Sequence, residues 1–207
     1  MIFTLPQLKL IMPAAGGKAD RYYDPLHASM EACDINNPRR AVNYLATVAH
    51  ESGQLRYMAE IWGPNQVPVQ KTYRNRMGND KPEAIALAHA AGFSDPGQAF
   101  KGYGPIQVTG FDNQIEIADN FSIPHENMIK WFQSPEGAFI ASAFFWMSHS
   151  LNQLADEDNM DDVLTELDAI QDIVNLGHKT VRIGDANGWV DRVMCYKRAR
   201  LVLMEMP

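Results

Sequence analysis

AHESGQLRYMAEIWGP, residues 49–64, decides how this chain is read. Two glutamates, Glu51 and Glu60, stand nine residues apart among apolar and aromatic neighbours. On one continuous helix, nine steps of about 100° would put them on opposite faces, roughly 13 Å apart along the axis. They could share no chemistry that way. Ser52-Gly53 offers another path, because glycine just past a helix is a common stop signal. If the chain turns there, Glu60 returns on an extended segment to face Glu51 across a cleft. Carboxylates about 6.5–9.5 Å apart, with room for a water, suit an inverting glycosidase. A glutamate that ends an apolar helix sits where its charged form is disfavoured, which suits a general acid. Two ordinary surface carboxylates are the alternative reading of the same residues.

The surrounding chain reads as mostly helical. Asn36-Asn37-Pro38 is a start signal, a capping Asn followed by Pro where a helix tolerates it. Ala41, Val42, Leu45, Val48 and Ala49 then form a helical stripe. Upstream, Thr4 can cap a short helix ending near Pro13, and Gly16-Gly17 leads into a second helix over roughly 19–33. Downstream, 62–82 is rich in Pro, Gly, Asn and basic residues and reads as a long irregular loop, a feature that is usually functional inside a compact domain. Residues 83–91 suggest a short Ala-rich helix, and 92–110 a Gly-rich loop ending in KGYGPIQVTG. Ser134-Pro135-Glu136 starts a helix whose body, AFIASAFFWM, is apolar on nearly all sides, as in a central buried helix. Over 160–174, Met160, Val163, Leu164, Leu167, Ile170 and Val174 recur at helical spacing, with Asp161 and Asp162 favourably at the N-terminus. Gly177 ends that helix, and a last one runs from about Gly188 to Met204. With no internal repeat and no linker, the expectation is one domain over 1–207, a helical segment 1–36 packed on a core of 38–204.

Composition narrows the classes. At 207 residues the chain can build one well-cored domain. A net charge of −7 argues against a general nucleic-acid binder, whose footprint is a basic excess. Cys33 and Cys195 are the two cysteines, far apart and each in a helix-like stretch, which reads as two buried thiols with a single bridge left open. HESGQ resembles a zinc-protease pattern, but that needs a second His at position 54, where Gln stands. The other His residues show no ligand spacing, so no metal is expected, and serine or cysteine nucleophile motifs are absent. The start, MIFTLPQLKLIMP, is broken by Pro6 and Lys9 and lacks a basic n-region, so no signal peptide is read. No apolar run is long enough to span a membrane, and a product made in the cytoplasm is expected.

Five short motifs occur in one order: Ala49-His50-Glu51-Ser52-Gly53; Glu60-Ile61-Trp62-Gly63-Pro64; Gly104-Pro105-Ile106-Gln107-Val108-Thr109-Gly110 with Asn113; Val174-Asn175-x-Gly177; and Asp191-Arg192 followed by Tyr196-Lys197-Arg198. In this order, over roughly 40–200, the chain resembles the catalytic domain of glycoside hydrolase family 19, in particular its compact phage endolysins. The resemblance implies that Glu51 is the general acid, that Glu60 is the general base activating water, and that Thr109 helps hold that water. It implies that Gln107 and Asn113 line sugar subsites, that Asn175 contacts substrate or orients the base, and that Arg192 interacts with the catalytic carboxylates. An Arg near Glu60 would favour its ionised form while an apolar setting keeps Glu51 protonated. A structural ion pair is the other reading of Arg192, whose stem should be partly buried beside Trp189 and Tyr196.

Tyr103, Trp62 and Tyr73 are candidates to stack on sugar rings, or else packing residues. Lys71, Arg74 and Arg76 form a basic run, either a solvated loop or a contact for anionic peptidoglycan peptides. His50 reads as a packed or supporting residue, and Phe144, Phe145 and Trp146 as core. Departures from the family pattern are Lys101-Gly102-Tyr103-Gly104 in place of Arg-Gly-Arg-Gly, Leu176 within the Asn-Gly-Gly motif, and Gln114 in place of a frequent Tyr.

The expected fold is therefore mainly α, a lysozyme-like α+β domain with a small β-hairpin or irregular region around Glu60 and a cleft between two lobes. The resemblance implies an inverting hydrolase of β-1,4 bonds in peptidoglycan, with chitin the second substrate. It implies no cofactor, no nucleic-acid partner, no membrane insertion, a monomer, and access to the periplasmic wall after holin release. A lytic transglycosylase, which works with one glutamate, and a non-catalytic wall-binding protein are the rivals.

Overall fold

The computed structural model describes residues 2–160 and 164–206, so the expected helix start at Asp161, Asp162 and Val163 lies outside the described residues. In chain order the helices begin with α1 (Leu5–Ile11), α2 (Gly17–Ala32), α3 (Pro38–Glu51), α4 (Pro82–Ala90), α5 (Pro96–Ala99) and α6 (Phe111–Asn120). They continue with α7 (His125–Phe132), α8 (Pro135–Ser148), α9 (Leu151–Glu157), α10 (Thr165–Leu176) and α11 (Trp189–Arg200), the last running into a π-turn over Leu201–Glu205. The expected, mainly helical fold is what the chain adopts. It divides into two compact units, Met1–Arg56 with Ala143–Pro207, and Tyr57–Ser142. Among the described residues no helix is long and apolar enough to cross a membrane.

In the first unit, α1 starts on the capping box anticipated at Thr4: its hydroxyl accepts from the Gln7 N–H, and Gln7 Oε1 accepts from the Thr4 N–H at 2.9 Å. α3 starts where Asn37-Pro38 places it, with Asn37 Oδ1 accepting from the Arg40 N–H at 3.0 Å. The sequence suggested one apolar stripe on α3, but every residue from Ala41 to Ala49 is buried. The helix is enclosed on all sides, with its longest packing against α11. Enclosure forces its polar residues into bonds: Asn43 Nδ2 donates to the buried carboxylate of Asp158 at 2.8 Å, and the Tyr196 hydroxyl donates to the same oxygen at 2.7 Å. Trp146 of α8 packs edge-on against Tyr44 of α3, ring centres 5.3 Å apart, as core. Cys33 and Cys195 are buried free thiols, which closes the possibility of a bridge.

α3 stops at Glu51. Gly53, Gln54 and Leu55 then take left-handed φ values of 55°, 62° and 64° in succession. Two of these carry side chains, for which that region is unfavourable, so the turn must be held from outside. Ser52 Oγ, fully buried, donates to the Val48 carbonyl at 2.6 Å and accepts from the Leu55 N–H at 2.7 Å. The Gln54 N–H donates to Ala49 O at 2.7 Å, its Oε1 accepts from the Ala14 N–H at 2.8 Å, and the Leu55 side chain is fully buried. The helix break at Ser52-Gly53 is thus a built feature of the first unit.

The second unit is less regular. Around Glu60, isolated bridges pair Ala59 with Tyr103 and Tyr103 with Val108, and no strand forms among the described residues. The buried amide of Gln114 substitutes for a ladder there, donating to the carbonyls of Lys101 and Val108, each at 3.0 Å. Gly104 has a φ of +79°, and a Cβ there would lie 2.3 Å from the Ala138 carbonyl, so the turn admits only glycine. The region expected as irregular over 62–82 contains an eight-residue 3-10 helix, Pro68–Asn75, nucleated by the Pro that the loop reading took as a breaker. Likewise 92–110 contains the single turn of α5, capped by Asp95, and α6 and α7 were not anticipated. Neither of those two helices has a side-chain cap, since Gly110 and Pro124 stand at their starts.

Candidate active site

In the first unit the site is organised on Glu51, the last residue of α3. Its Oε1 lies 2.6 Å from Nη2 of Arg192, whose side chain is 1% exposed against 19% for Glu51. The contact is close but misaligned, for the buried Oε1 accepts no hydrogen bond of good direction. The guanidinium's direction is set by its other nitrogens: Nε donates to the Asn187 carbonyl at 2.8 Å and Nη1 to Gln171 Oε1 at 2.6 Å. The setting of Glu51 is therefore not the apolar one expected, and Arg192 meets one of the two carboxylates that the resemblance implied for it. Among the described residues, the carboxyl group that Arg192 meets is that of Glu51.

The loop between α10 and α11 carries the supporting groups. Asn175 Oδ1 accepts from the Asn187 N–H at 2.8 Å, so Asn175 holds the segment that in turn holds Arg192. Buried Asp168 and Asp172 of α10 pin the loop, Asp168 Oδ1 accepting from the Gly184 N–H at 2.7 Å and Asp172 from both groups of Thr180. Lys179 lies against the Asp168 carboxylate. His50 Nδ1 meets Asp191 at 2.6 Å, and its ring edge rests on Gly188, where a Cβ would come within 2.6 Å. Beside this loop a cavity of about 560 Å³ is bordered by Asp185, Asn187, Trp189, Asp191 and Met194.

In the second unit Glu60 is held at both oxygens by neutral donors. Oε1 accepts from Gln70 Nε2 at 2.9 Å and from the Tyr73 hydroxyl at 3.2 Å, and Oε2 accepts from the Gly102 N–H at 3.2 Å. Burial and then the Glu60 charge push the Tyr73 phenol above its ordinary range, which keeps it a donor. A carboxylate offers about four lone-pair directions, so three are filled and one remains. Gly102 is where the site converges: a Cβ on it would lie 2.7 Å from Gln107 Oε1 and 3.1 Å from Thr109 Oγ1. Thr109 gives its own proton to the Gln107 carbonyl at 2.8 Å, leaving its hydroxyl free to accept.

The structure therefore gathers Glu60, Tyr73, Gln107 and Thr109 about Gly102, with Trp62 tilted against Tyr73, ring centres 6.1 Å apart. Asn113 is exposed and donates to the Thr109 carbonyl at 2.8 Å. Tyr103 is corrected: it is 2% exposed, stacks on Phe132 and donates to the Ala99 carbonyl at 3.1 Å, so its ring is packing and not a sugar platform. Sequence reasoning missed Gln70, Gly102 and Gln171. Of these only Gly102 carried a signal, its place in the Gly-rich stretch.

No family model matches the chain, and no curated protein sequence matches it. Its fold is that of chitinases. The chain aligns with chitinase C from Streptomyces griseus HUT6037 at a TM-score of 0.65 and 17% identity, covering 98% of this chain and 76% of that one. A mutant of chitinase C aligns at 0.64 and 16% over 98% and 92% of the two chains. A bacterial family 19 chitinase aligns at 0.63 and 18% over 99% and 96%.

Proposed function

We propose that this protein is an inverting glycoside hydrolase that cleaves β-1,4 bonds between N-acetylated sugars, with Glu51 as general acid and Glu60 as general base. The observation that carries the reading is Glu60 itself, a carboxylate fixed at both oxygens by three neutral donors with one lone-pair direction left over. Such a group can take a proton from water without rearranging. Thr109, whose own proton goes to the Gln107 carbonyl, can accept a hydrogen bond from the water's other O–H. The fold shared with chitinases over 98–99% of the chain supports the reaction class.

In the proposed step the proton leaves Glu51 from Oε2, because Oε1 is turned to Arg192. It passes to the glycosidic oxygen, the C1–O bond breaks, and water attacks C1 from the opposite face as Glu60 takes its proton. The whole chain serves as one monomeric catalytic domain. Peptidoglycan is the first substrate: Lys71, Arg74 and Arg76 are exposed along the 3-10 segment and can meet anionic stem peptides. A lytic role, with release to the wall through a holin, follows from the endolysin resemblance. Chitin is the second reading, favoured by the chitinases that share the fold.

Mass analysis of fragments from peptidoglycan and from chitin oligomers, with anomeric configuration read early, tests the proposal. Inverted product, lost in both Glu51→Gln and Glu60→Gln, is expected. Retained configuration, an anhydro-sugar product, or near-full activity of Glu60→Gln would refute the two-carboxylate mechanism. A wild-type protein that releases no reducing ends from either polymer would refute hydrolysis.

A further inference from the structure

A planar guanidinium held at two nitrogens has the direction of its third already decided. Arg192 is held in that way, by Asn187 O at Nε and by Gln171 Oε1 at Nη1. Its Nη2 lies 2.6 Å from Glu51 Oε1 without an aligned hydrogen bond, so the directional bonds on the guanidinium are those at Nε and Nη1. The question becomes what orients Gln171.

Donor and acceptor chemistry answers it. Arginine only donates, so the Gln171 atom toward Nη1 must be the carbonyl oxygen. The amide nitrogen then points to Thr47 Oγ1, at 2.8 Å. Thr47 spends its proton on the Asn43 carbonyl at 2.9 Å and can only accept from Gln171. Asn43 is fixed in turn by the Arg39 carbonyl at 3.1 Å and by Asp158 at 2.8 Å. Asn43, Thr47 and Gln171 are each at most 1% exposed. The polarity runs one way from α10 through α3, and an apolar side chain could fill the same volume without imposing any direction.

We propose that Gln171 is the positioning residue of the acid: through Arg192 it sets where positive charge stands against Glu51. It touches neither the substrate nor the carboxylate. The proposal rests on the hydrolase reading for its catalytic consequence, but the orientation of Arg192 can be read without substrate.

The test is Gln171→Met, which keeps length and removes both hydrogen bonds, read by two measurements. In steady-state hydrolysis of chitin oligomers or peptidoglycan, kcat is expected to fall about 10- to 100-fold with KM within about twofold, the signature of a misplaced group. In ¹⁵N NMR of the arginine side chains, the resolved Nη signals of Arg192 in the wild type, a sign of hindered guanidinium rotation, are expected to merge in the variant. Unchanged kcat, a change in KM alone, or Arg192 signals that stay resolved in the variant would overturn the proposal. If the wild type hydrolyses nothing, the hydrolase reading fails and the NMR measurement alone decides whether Gln171 orients Arg192. If Gln171→Met does not fold, Thr47→Val, which removes the acceptor that keeps the amide from flipping, carries the same two measurements with the same expected outcomes.

Discussion

Replacing Ser52 by alanine removes one oxygen from the turn that ends α3 at Glu51. Ser52 Oγ makes two bonds, to Val48 O at 2.6 Å and from Leu55 N at 2.7 Å. The Val48 carbonyl keeps a partner, because the Ser52 N–H also donates to it, at 3.1 Å. Leu55 is fully buried, so its N–H is left without an acceptor. An orphaned buried amide costs about 1–3 kcal/mol. Alanine's better helix propensity returns at most about 0.5 kcal/mol, so the loss wins. With a net cost of about 1.5 kcal/mol and about 2–4 °C per kcal/mol for a chain of 207 residues, Tm should fall by about 3–6 °C. Thermal unfolding followed by far-UV circular dichroism measures this, and amide hydrogen exchange should show Leu55 losing protection before the body of α3. A Tm within 1 °C of wild type, with Leu55 still protected, would show that the left-handed run over 53–55 is held by something other than Ser52.

The hydrogen bond that His125 donates to Asp119, the charge of Asp119, and then the bond it donates to Glu83 raise its pKa above the ordinary 6.5. A raised folded value means that this cluster stabilises the fold below the unfolded pKa and stops doing so as pH rises through the folded one. NMR titration of the imidazole should show the elevated midpoint, and Asp119→Asn should bring it down. Burial pushes both thiols up to about 11, with Asp34 adding to the effect at Cys33 and Asp191 at Cys195. A disulfide-exchange reagent at pH 8 should therefore titrate almost no thiol in the native protein and both after denaturation. Gly102→Ala should leave Tm nearly unchanged, because the group it strikes, Gln107 Oε1, ends a flexible side chain. It should nevertheless lower kcat/KM on either polymer by about tenfold, since it displaces a residue beside Glu60. Gly104→Ala should do the opposite kind of damage, a steep loss of stability, because it strikes the Ala138 backbone from a φ of +79°.

What could be read from the chain in advance was local. Asn37-Pro38 starts a helix and Ser52-Gly53 stops one because each signal acts on backbone groups within four residues. The 3-10 helix over Pro68–Asn75 was missed because proline serves both as a loop breaker and as a first helical residue. Glutamines 70, 114 and 171 left no trace in any periodicity. Gln171 meets Thr47 across 124 positions and Arg192 across 21, and such a residue looks neutral until both partners are in place. Tyr103 misled for the converse reason: a loop position suggests exposure, but the bridge to Val108 turns its ring inward onto Phe132.

Under the proposed mechanism, Arg192 changes how the two glutamates would divide the work. The sequence suggested a cation for the base and an apolar pocket for the acid. The structure places the cation on Glu51 and neutral donors on Glu60. In the proposed reaction Glu51 begins neutral and becomes a carboxylate as its proton reaches the glycosidic oxygen. Glu60 begins charged and becomes neutral as it takes a proton from water. Charge therefore develops at Glu51 and fades at Glu60 along the reaction coordinate. Once Glu51 is protonated for the step, a fixed cation beside it favours the transfer, because negative charge grows there and the cation need not move to respond. Arg192, clamped at Nε and Nη1 with Nη2 already 2.6 Å from Oε1, stands at the carboxyl that gains charge. The same cation at Glu60 would hold the base in its starting state and oppose the proton transfer. The neutral set of Gln70, Tyr73 and Gly102 fixes that base in place without such a penalty.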